Sequence, residues 1–344
     1  MKSAKEIQAL AGHVIGLDVG RSGVKIAFLD SAKNVTTKFF RSVIIPYREL
    51  TFDQNPKATE ADTVEVNGNK YFVGETALAQ GAKESVGLNA NWLEGDEHTA
   101  LLIRSQRYLK SYGVIPRFIV VGLPVNTFKH HAKILAQQVK EVFGHETIVL
   151  PVPQPYGVYQ DEVLNDMGEF KGAKSISGQY AVIDIGHYST DFLMMNENIW
   201  VEASSGSSDG MYVAVDNLNK ILQAKGINLS PFKLQEVLMT KKIRQYGEEV
   251  DFSNEVREAL QATVQLILQS TKRYIGSDAS QMDKIIVAGG GAEVVFPSVY
   301  HMWKNAVKPE NPRFSVALGM RKFGLKSLLG NEEFIAKVSG TKKA

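Results

Sequence analysis

The apolar residues of this chain fall into two kinds of pattern. Short apolar runs bounded by glycine or polar residues, at 14–19, 118–123, 181–185 and 284–288, predict buried strands. Apolar residues at helical spacing over 253–275, with acidic side chains in the first turns and basic ones in the last, predict a long helix. Buried strands that alternate with amphipathic helices indicate an α/β fold.

Two of the predicted strands end in the same motif. Residues 16–25 read Gly-Leu-Asp-Val-Gly-Arg-Ser-Gly-Val-Lys, and residues 183–191 read Ile-Asp-Ile-Gly-His-Tyr-Ser-Thr-Asp. In each, an apolar strand ends in Asp-x-Gly, a tight polar turn follows, and a second strand begins. The chain is therefore predicted to contain two versions of one strand–turn–strand unit, called here the first loop (residues 18–25) and the second loop (residues 184–191).

Both loops have the composition of a phosphate-binding turn. Gly20 and Gly186 lack the Cβ atom that would keep a ligand away from the backbone, and successive N–H groups in such a turn form a concave anion site. Hydroxyl groups and one ammonium group are further candidate ligands: Ser22, Lys25, Ser189 and Thr190. Two ordinary hairpins with Asp and Gly at their turns are the alternative, which the repetition disfavours.

One carboxylate at the strand end before each turn indicates a metal. Asp18 and Asp184 would repel a bare phosphate, so their presence suggests a cation between carboxylate and phosphate. Magnesium fits, because it is usually held by one or two carboxylates together with water and phosphate oxygens. The two loops therefore predict a clamp for a magnesium-bound nucleoside polyphosphate.

A run of three glycines follows the predicted strand at 284–288. Gly289, Gly290 and Gly291 are hard to justify by packing alone, because glycine loses more backbone entropy on folding than any other residue. The run predicts a close approach to the backbone by the base and sugar of a nucleotide.

Gln154 is a candidate for orienting a water molecule. It stands between a predicted strand at 147–152 and a predicted helix, and Pro155 suits the first turn of that helix. An ordinary polar residue in a proline-bounded turn is the alternative on local sequence alone.

Three other local predictions concern boundaries: a loop at 54–62, Thr127 as a helix N-cap, and Ser208 or Asp209 as the next N-cap.

Composition narrows the class of protein. The 344 residues are enough for two domains, and a net charge of +2 gives no strong electrostatic case for binding nucleic acid or an anionic membrane directly. The absence of cysteine excludes disulfides and thiol chemistry and fits a cytoplasmic protein. The stretch 1–13 is interpreted as a frayed extension, with a membrane-surface helix through Ile7 and Leu10 as the alternative.

Taken together, these motifs resemble the actin-like ATPase superfamily, which includes actin, bacterial actins, chaperone ATPases and sugar kinases. The three motifs share the order and spacing of that superfamily, and the resemblance spans nearly the whole chain. Residues 288–293 (Ala-Gly-Gly-Gly-Ala-Glu), 122–124 (Gly-Leu-Pro) and 318–320 (Leu-Gly-Met) look most like the ParM-type plasmid-segregation actins.

The resemblance implies an actin-like, ribonuclease H-like fold of two α/β domains with a nucleotide in the cleft between them. Domain I would comprise 1–177 and 312–344, and domain II would comprise 178–311. ATP or GTP with Mg²⁺ would be the cofactors, Gln154 and Asp184 catalytic residues, and Asp18 and Asp184 the residues that organise the metal. The implied nucleotide contacts are Asp18, Gly20, Arg21, Ser22, Gly23, Lys25, Gly186, His187, Ser189, Thr190, Asp209, Gly289, Gly290, Gly291 and Glu293.

Two departures from the family pattern affect the expected chemistry. His187 and Tyr188 stand where many relatives have glycine or small hydroxyl residues, so the second loop is expected to be bulkier. Gln154 replaces an acidic residue, and an amide can orient water but is a poor general base. Slow hydrolysis that depends on positioning and charge neutralisation is therefore expected.

The leading functional hypothesis is a filament-forming ATPase that segregates plasmid DNA. Its partners would be further copies of itself and a DNA-binding adaptor, with no direct nucleic-acid contact and no membrane contact. A small-molecule kinase of the same superfamily is one alternative, although the sequence offers no convincing base for an acceptor hydroxyl. A cell-shape bacterial actin and a chaperone-type ATPase are further alternatives.

Overall fold

The structure is a computed structural model that describes residues 3–82 and 92–340. The chain forms two compact units, each with its own sheet and its own hydrophobic core. Unit 1 consists of Met1–Gly178, Asn196–Ile199 and Phe314–Ala344, and unit 2 consists of Gln179–Met195 and Trp200–Arg313. The mixed α/β architecture is the fold class predicted from the sequence.

The elements are numbered here in chain order. The strands are β1 (Val14–Val19), β2 (Gly23–Leu29), β3 (Val35–Arg41), β4 (Ile44–Pro46), β5 (Thr63–Val66), β6 (Asn69–Val73), β7 (Phe118–Leu123), β8 (Ile148–Pro153), β9 (Gln179–Ile185), β10 (Ser189–Asn196), β11 (Ile199–Trp200), β12 (Gly206–Asp209), β13 (Lys242–Gln245), β14 (Glu248–Asp251), β15 (Lys284–Ala288) and β16 (Ala306–Val307). The α-helices are α1 (Ala4–Ala11), α2 (Pro56–Asp62), α3 (Glu75–Ala79), α4 (Asp96–Ser111), α5 (Val125–Phe143), α6 (Gln154–Val163), α7 (Lys174–Ser177), α8 (Tyr212–Ala224), α9 (Pro231–Thr240), α10 (Ser253–Ile275), α11 (Ala292–Met302), α12 (Ser315–Leu329) and α13 (Glu332–Ser339). Short 3₁₀ helices lie at Trp92–Glu94, Glu202–Ser204 and Gly276–Ser280.

The main sheet of unit 1 has the strand order β3-β2-β1-β7-β8. Strand β2 runs antiparallel to both β1 and β3, whereas β7 is parallel to β1 and β8 is parallel to β7. Every residue of β1 and β7 is buried, as expected for strands covered on both faces. The first loop therefore joins two central strands, and Asp18 pairs with Lys25 in their register.

The main sheet of unit 2 repeats this arrangement. Its strand order is β11-β10-β9-β15-β16, with β12 paired to β10. The hairpin β9–β10 carries the second loop, and β15 lies parallel to β9 with Ala288 opposite Asp184. The predicted repetition of a strand–turn–strand unit is thus confirmed, and the carboxyl ends of β9 and β15 bring the second loop beside the triple glycine.

Helix α12 packs against β1 and α6 at backbone distance, which requires glycine at the contacts. A Cβ atom on Gly16 would lie 1.9 Å from Ala317 O, and one on Gly319 would lie 1.7 Å from Gly157 O. A methyl group at Gly16 would push α12 away from β1, and one at Gly319 would push α12 away from α6. Helix α6, which begins at Gln154, is consequently fixed by its contact with α12.

Several local predictions were wrong for identifiable reasons. The stretch at 54–62 is not a loop, because Asn55 accepts a hydrogen bond from Ala58 N and caps helix α2. Thr127 lies inside α5, where its hydroxyl donates to Pro124 O, and Pro124 is the N-cap. Ser208 and Asp209 cap no helix, because both belong to β12 and pair with β10.

Most of the described part of the stretch before β1 is helix α1 (Ala4–Ala11) and not a frayed extension. Ser3 and Glu6 form a reciprocal capping box at the start of α1, which satisfies backbone N–H groups of the first turn. Leu10 is buried, and α1 packs against α12 and α13. Of the two apolar residues that kept the membrane-surface alternative open, Leu10 is therefore buried within unit 1, whereas Ile7 is partly exposed. Across the described residues, the apolar stretches of the helices are too short to cross a membrane.

Candidate functional site

The first loop brings three predicted site residues together around one carboxylate. Asp18, at the end of β1, is 2% exposed, and both of its oxygens accept hydrogen bonds. Lys25 Nζ lies 3.0 Å from Oδ2, and Gln154 Nε2 lies 2.6 Å from Oδ1. The charge of the buried carboxylate is thereby matched by an ammonium group and an amide, as burial of an ion requires. The structure thus joins the first loop to the start of α6.

The backbone of the first loop is held from one side by Ser42. The Ser42 hydroxyl donates a hydrogen bond to Gly20 O at 2.5 Å, and Ser42 N donates to Ser22 O at 3.4 Å. The C=O and N–H groups of a trans peptide point in opposite directions, so the N–H of Arg21 points away from Ser42. The sequence gives no local signal for Ser42, because only the pairing of β2 with β3 places it beside the loop.

Two predicted contacts of the first loop have protein partners in the structure. The Arg21 guanidinium lies over the ring of Trp92, 5.4 Å from its centroid, a cation–π geometry. Gly23 lies in β2, and a Cβ atom there would lie 2.2 Å from a carbon of the Phe39 ring. Close packing against Phe39 therefore explains the glycine at position 23.

The carbonyl groups of the second loop are also held from one side. Gly186 O, His187 O and Tyr188 O accept hydrogen bonds from Met211 N at 3.1 Å, Tyr212 N at 2.8 Å and Gly210 N at 3.2 Å. Because each peptide is trans, the N–H groups of the three residues that follow these carbonyls point the opposite way. Consecutive N–H groups on one side of a turn form a site for an anion.

The hydroxyl groups of the second loop are oriented by neighbouring side chains and backbone. Asp191 is 2% exposed and accepts from Ser189 Oγ at 2.8 Å and from Ser207 Oγ at 2.5 Å. Thr190 is fully buried, and its hydroxyl donates to Asp209 O at 3.1 Å. Ser189 thus lies in the partly exposed turn with a fixed orientation, whereas Thr190 serves the packing of β10 on β12.

His187 in the second loop and Tyr212 at the start of α8 are titratable groups with shifted pKa values. Burial lowers the pKa of His187 to about 4, although the nearby Asp216 acts in the opposite direction. His187 is therefore neutral at physiological pH and contacts Tyr188 edge to face. The pKa of Tyr212 is raised, chiefly because its hydroxyl donates a hydrogen bond to Asp209 Oδ1 at 2.9 Å.

The triple glycine divides into two packing positions and one open position. Gly289 has φ +88°, and a Cβ atom there would lie 2.4 Å from Ile185 O and 2.6 Å from Asp184 Oδ1. A Cβ atom on Gly291 would lie 2.5 Å from Ile185 Cγ2. The expectation that packing alone could not explain these glycines was wrong for both. Gly290 is exposed, and a Cβ atom there would meet nothing within 4 Å.

The acidic residues of the candidate site fit a metal that is held through water. Among the described residues, no three His, Asp or Glu side chains lie together as a ready set of metal ligands. Asp18 and Asp184 are each buried beside a loop, and both Asp18 oxygens already accept hydrogen bonds. One or two carboxylates with several waters is a usual environment for Mg²⁺. Glu293, in contrast, forms an exposed ion pair with Lys308.

Comparison with protein families identifies two models that match successive parts of the chain. Residues 16–157 match the N-terminal domain of actin-like proteins, and residues 182–299 match the C-terminal part of the MreB-like archaeal actin homologue. A search of curated proteins finds no match.

Solved structures with the same fold include filament proteins and nucleotide complexes. A 15-stranded ParM filament from Clostridium botulinum has a TM-score of 0.72 at 20% identity, over 90% of this chain and 98% of that chain. An archaeal actin homologue in complex with ADP has a TM-score of 0.65 at 20% identity, over 90% and 97%. Bacillus thuringiensis ParM with ATP has a TM-score of 0.60 at 13% identity, over 92% and 98%.

The fold is that of the actin-like proteins, and two family models of that class match residues 16–157 and 182–299. Within that class, it shares its fold with ParM proteins and with an archaeal actin homologue over nine-tenths of its length.

Proposed function

We propose that this protein is a nucleoside triphosphatase that assembles into filaments and segregates plasmid DNA through an adaptor. The observation that carries the proposal is the pair of loops, each of which has its carbonyls held from one side and a buried carboxylate at its start. Two loops of this kind suit a ligand with several phosphates, because each can bind oxygens through its N–H groups.

Residues of the first and second loops would each bind a part of the magnesium nucleotide. Backbone N–H groups at 21–23 and 187–189 would bind phosphate oxygens, with the Ser22 and Ser189 hydroxyls and Lys25 as further donors. Asp18 and Asp184 would hold Mg²⁺ through water, and the metal would neutralise phosphate charge. Gly290, whose Cα faces open space, would lie against the nucleoside.

Gln154 would position the water that attacks the terminal phosphate. Its amide nitrogen donates to Asp18 Oδ1 at 2.6 Å, which fixes the plane of the side chain. The carbonyl oxygen of the same amide can accept a hydrogen bond from water and orient it. Because an amide takes no proton, the reaction would be slow and would depend on geometry and charge neutralisation.

The two units would act as the two domains of an actin-like molecule. We propose domain I at 1–177 with 312–344 and domain II at 178–311. Self-association is supported by the likeness to a ParM filament, and an adaptor is supported by the near-neutral charge, which gives the chain little attraction for DNA. We propose that the protein is located in the cytoplasm, in keeping with a chain that has no cysteine.

Electron microscopy and sedimentation of the purified chain test this function. With ATP and Mg²⁺, filaments should form and pellet, and they should be absent without nucleotide or with EDTA. A chain that binds ATP, stays monomeric and phosphorylates a small-molecule acceptor would support a kinase instead. A chain that binds no nucleotide would refute the proposal.

A further inference from the structure

Ser42 contacts the first loop from a segment that the sequence motif does not include. It lies in the connection between β3 and β4 and is fully buried. Its hydroxyl and its backbone N–H donate to two carbonyls of the loop, Gly20 O at 2.5 Å and Ser22 O at 3.4 Å. A single residue thus holds two carbonyl groups of a four-residue turn on one side.

The direction of these carbonyls decides whether the loop can bind an anion. With Gly20 O turned to Ser42, the N–H of Arg21 is turned to the opposite side. Without its donor, the Gly20 peptide can rotate, and a carbonyl oxygen that faces the phosphate side repels the ligand. The loop is also tight, because a Cβ atom on Gly20 would lie 3.0 Å from Gly23 O.

The second loop provides an independent case of the same geometry. There the carbonyls at 186–188 accept hydrogen bonds from three backbone N–H groups of the segment 210–212, at the start of α8. Unit 1 has a side-chain hydroxyl at the corresponding place, and unit 2 has backbone amides. Both loops are therefore held from behind, by groups of different chemistry.

We propose that Ser42 is a positioning residue for phosphate binding, which keeps the Gly20 carbonyl turned away so that the Arg21 N–H faces the phosphates. This inference rests on the proposed nucleotide-binding function. It predicts that removal of the hydroxyl weakens the binding of ligands with phosphate and spares the binding of the nucleoside.

The test compares ADP with adenosine in calorimetric titrations of wild type, Ser42→Ala and Ser105→Ala, all with Mg²⁺. Ser105 is a matched control in the same unit, because it is also fully buried and its hydroxyl donates to a backbone carbonyl, Leu101 O, at 2.8 Å. Ser42→Ala should weaken ADP binding about fivefold to tenfold, the size of one hydrogen bond. Adenosine binding should stay within about twofold of wild type.

Ser105→Ala should change neither affinity, although both variants should unfold at lower urea concentration. Equal loss of ADP and adenosine binding in Ser42→Ala, or unchanged ADP binding, would overturn the inference. If Ser42→Ala fails to fold, Ser42→Cys fills the site with a slightly larger side chain and a weaker donor, and it should show the same selective loss. Failure of the wild type to bind ADP would refute the proposed function, and with it the role of Ser42 that depends on that function.

Discussion

The side chain of Gln154 donates a hydrogen bond to Asp18 Oδ1 at 2.6 Å, although 136 positions separate the two residues. The contact exists because β1, β7 and β8 are adjacent in one sheet, so that the end of β1 lies near the start of α6. It places an amide that can orient water beside a carboxylate that can organise a metal. The two residues are therefore predicted to act in one chemical step.

Replacement of Gln154 by alanine should slow ATP hydrolysis and leave nucleotide affinity nearly intact. Loss of a water-positioning group without loss of a phosphate contact should lower turnover about tenfold to a hundredfold. Turnover is measured by phosphate release and affinity by titration with ADP. Gln137→Ala is the control, since Gln137 is exposed on α5 and pairs with Glu141. Equal losses of affinity and turnover would place Gln154 on the nucleotide itself.

Asp184→Ala should abolish hydrolysis because the metal loses its carboxylate in unit 2. ATP turnover is followed as a function of Mg²⁺ concentration, and the variant should stay inactive at every concentration. Asp283→Ala is the control in the same unit, since Asp283 directly precedes β15 and its Oδ2 accepts a hydrogen bond from Gln179 N at 2.9 Å. That control should cost some stability and keep its turnover. Normal turnover by Asp184→Ala would contradict a role in metal binding.

Gly289→Ala should destabilise the protein, whereas Gly290→Ala should leave its stability nearly unchanged. At Gly289 the backbone is left-handed and a Cβ atom would lie 2.4 Å from Ile185 O, so unfolding free energy should fall by at least about 2 kcal/mol. At Gly290 a Cβ atom meets nothing, so stability should change by less than about 0.5 kcal/mol. Urea denaturation measures both variants.

The same glycine pair tests where the nucleoside binds. If the nucleoside lies against Gly290, a methyl group there should weaken adenosine and ADP binding alike, without loss of stability. Unchanged binding by Gly290→Ala would exclude close contact at this position.

Local sequence patterns predicted the two loops, whereas contacts between segments that are distant in the sequence could not be predicted from them. The strand ends at Asp18 and Asp184 follow from apolar runs and from the turn composition beside them, which are local signals. The role of Ser42 depends on the register of β2 with β3, and that register is not encoded within either segment.

The misplaced helix cap shows how tertiary structure overrides a local signal. Ser208 and Asp209 have the composition of an N-cap, but β12 pairs with β10 and the neighbouring Ser207 donates to the buried Asp191. The triple glycine was informative for a different reason than expected, since Gly289 and Gly291 allow β9 and Met211 to pack closely.

A buried histidine in unit 1 should make the stability of the protein depend on pH. His98 is 1% exposed, and its ring lies 4.8 Å from that of Trp92, edge to face. Burial lowers its pKa from 6.5 to about 4, although Gln138 acts in the opposite direction. Between these values the unfolded chain binds a proton that the folded chain does not. The contribution of the neutral His98 to the unfolding free energy is therefore fully present above about pH 6.5 and is lost as the pH drops towards 4.

His98→Phe should flatten this pH dependence, because it keeps an aromatic ring against Trp92 and removes the titrating group. In the wild type His98 alone should account for a loss of about 3 kcal/mol of unfolding free energy across the window, and the partly buried His187 adds a loss of the same sign. Urea denaturation at about pH 7.5, 6 and 5 measures the slope, with the first point above the window and the other two inside it. The variant should retain only the smaller slope from the remaining groups, whatever its stability at pH 7.5. An identical slope in both proteins would mean that His98 is protonated equally in the folded and unfolded states.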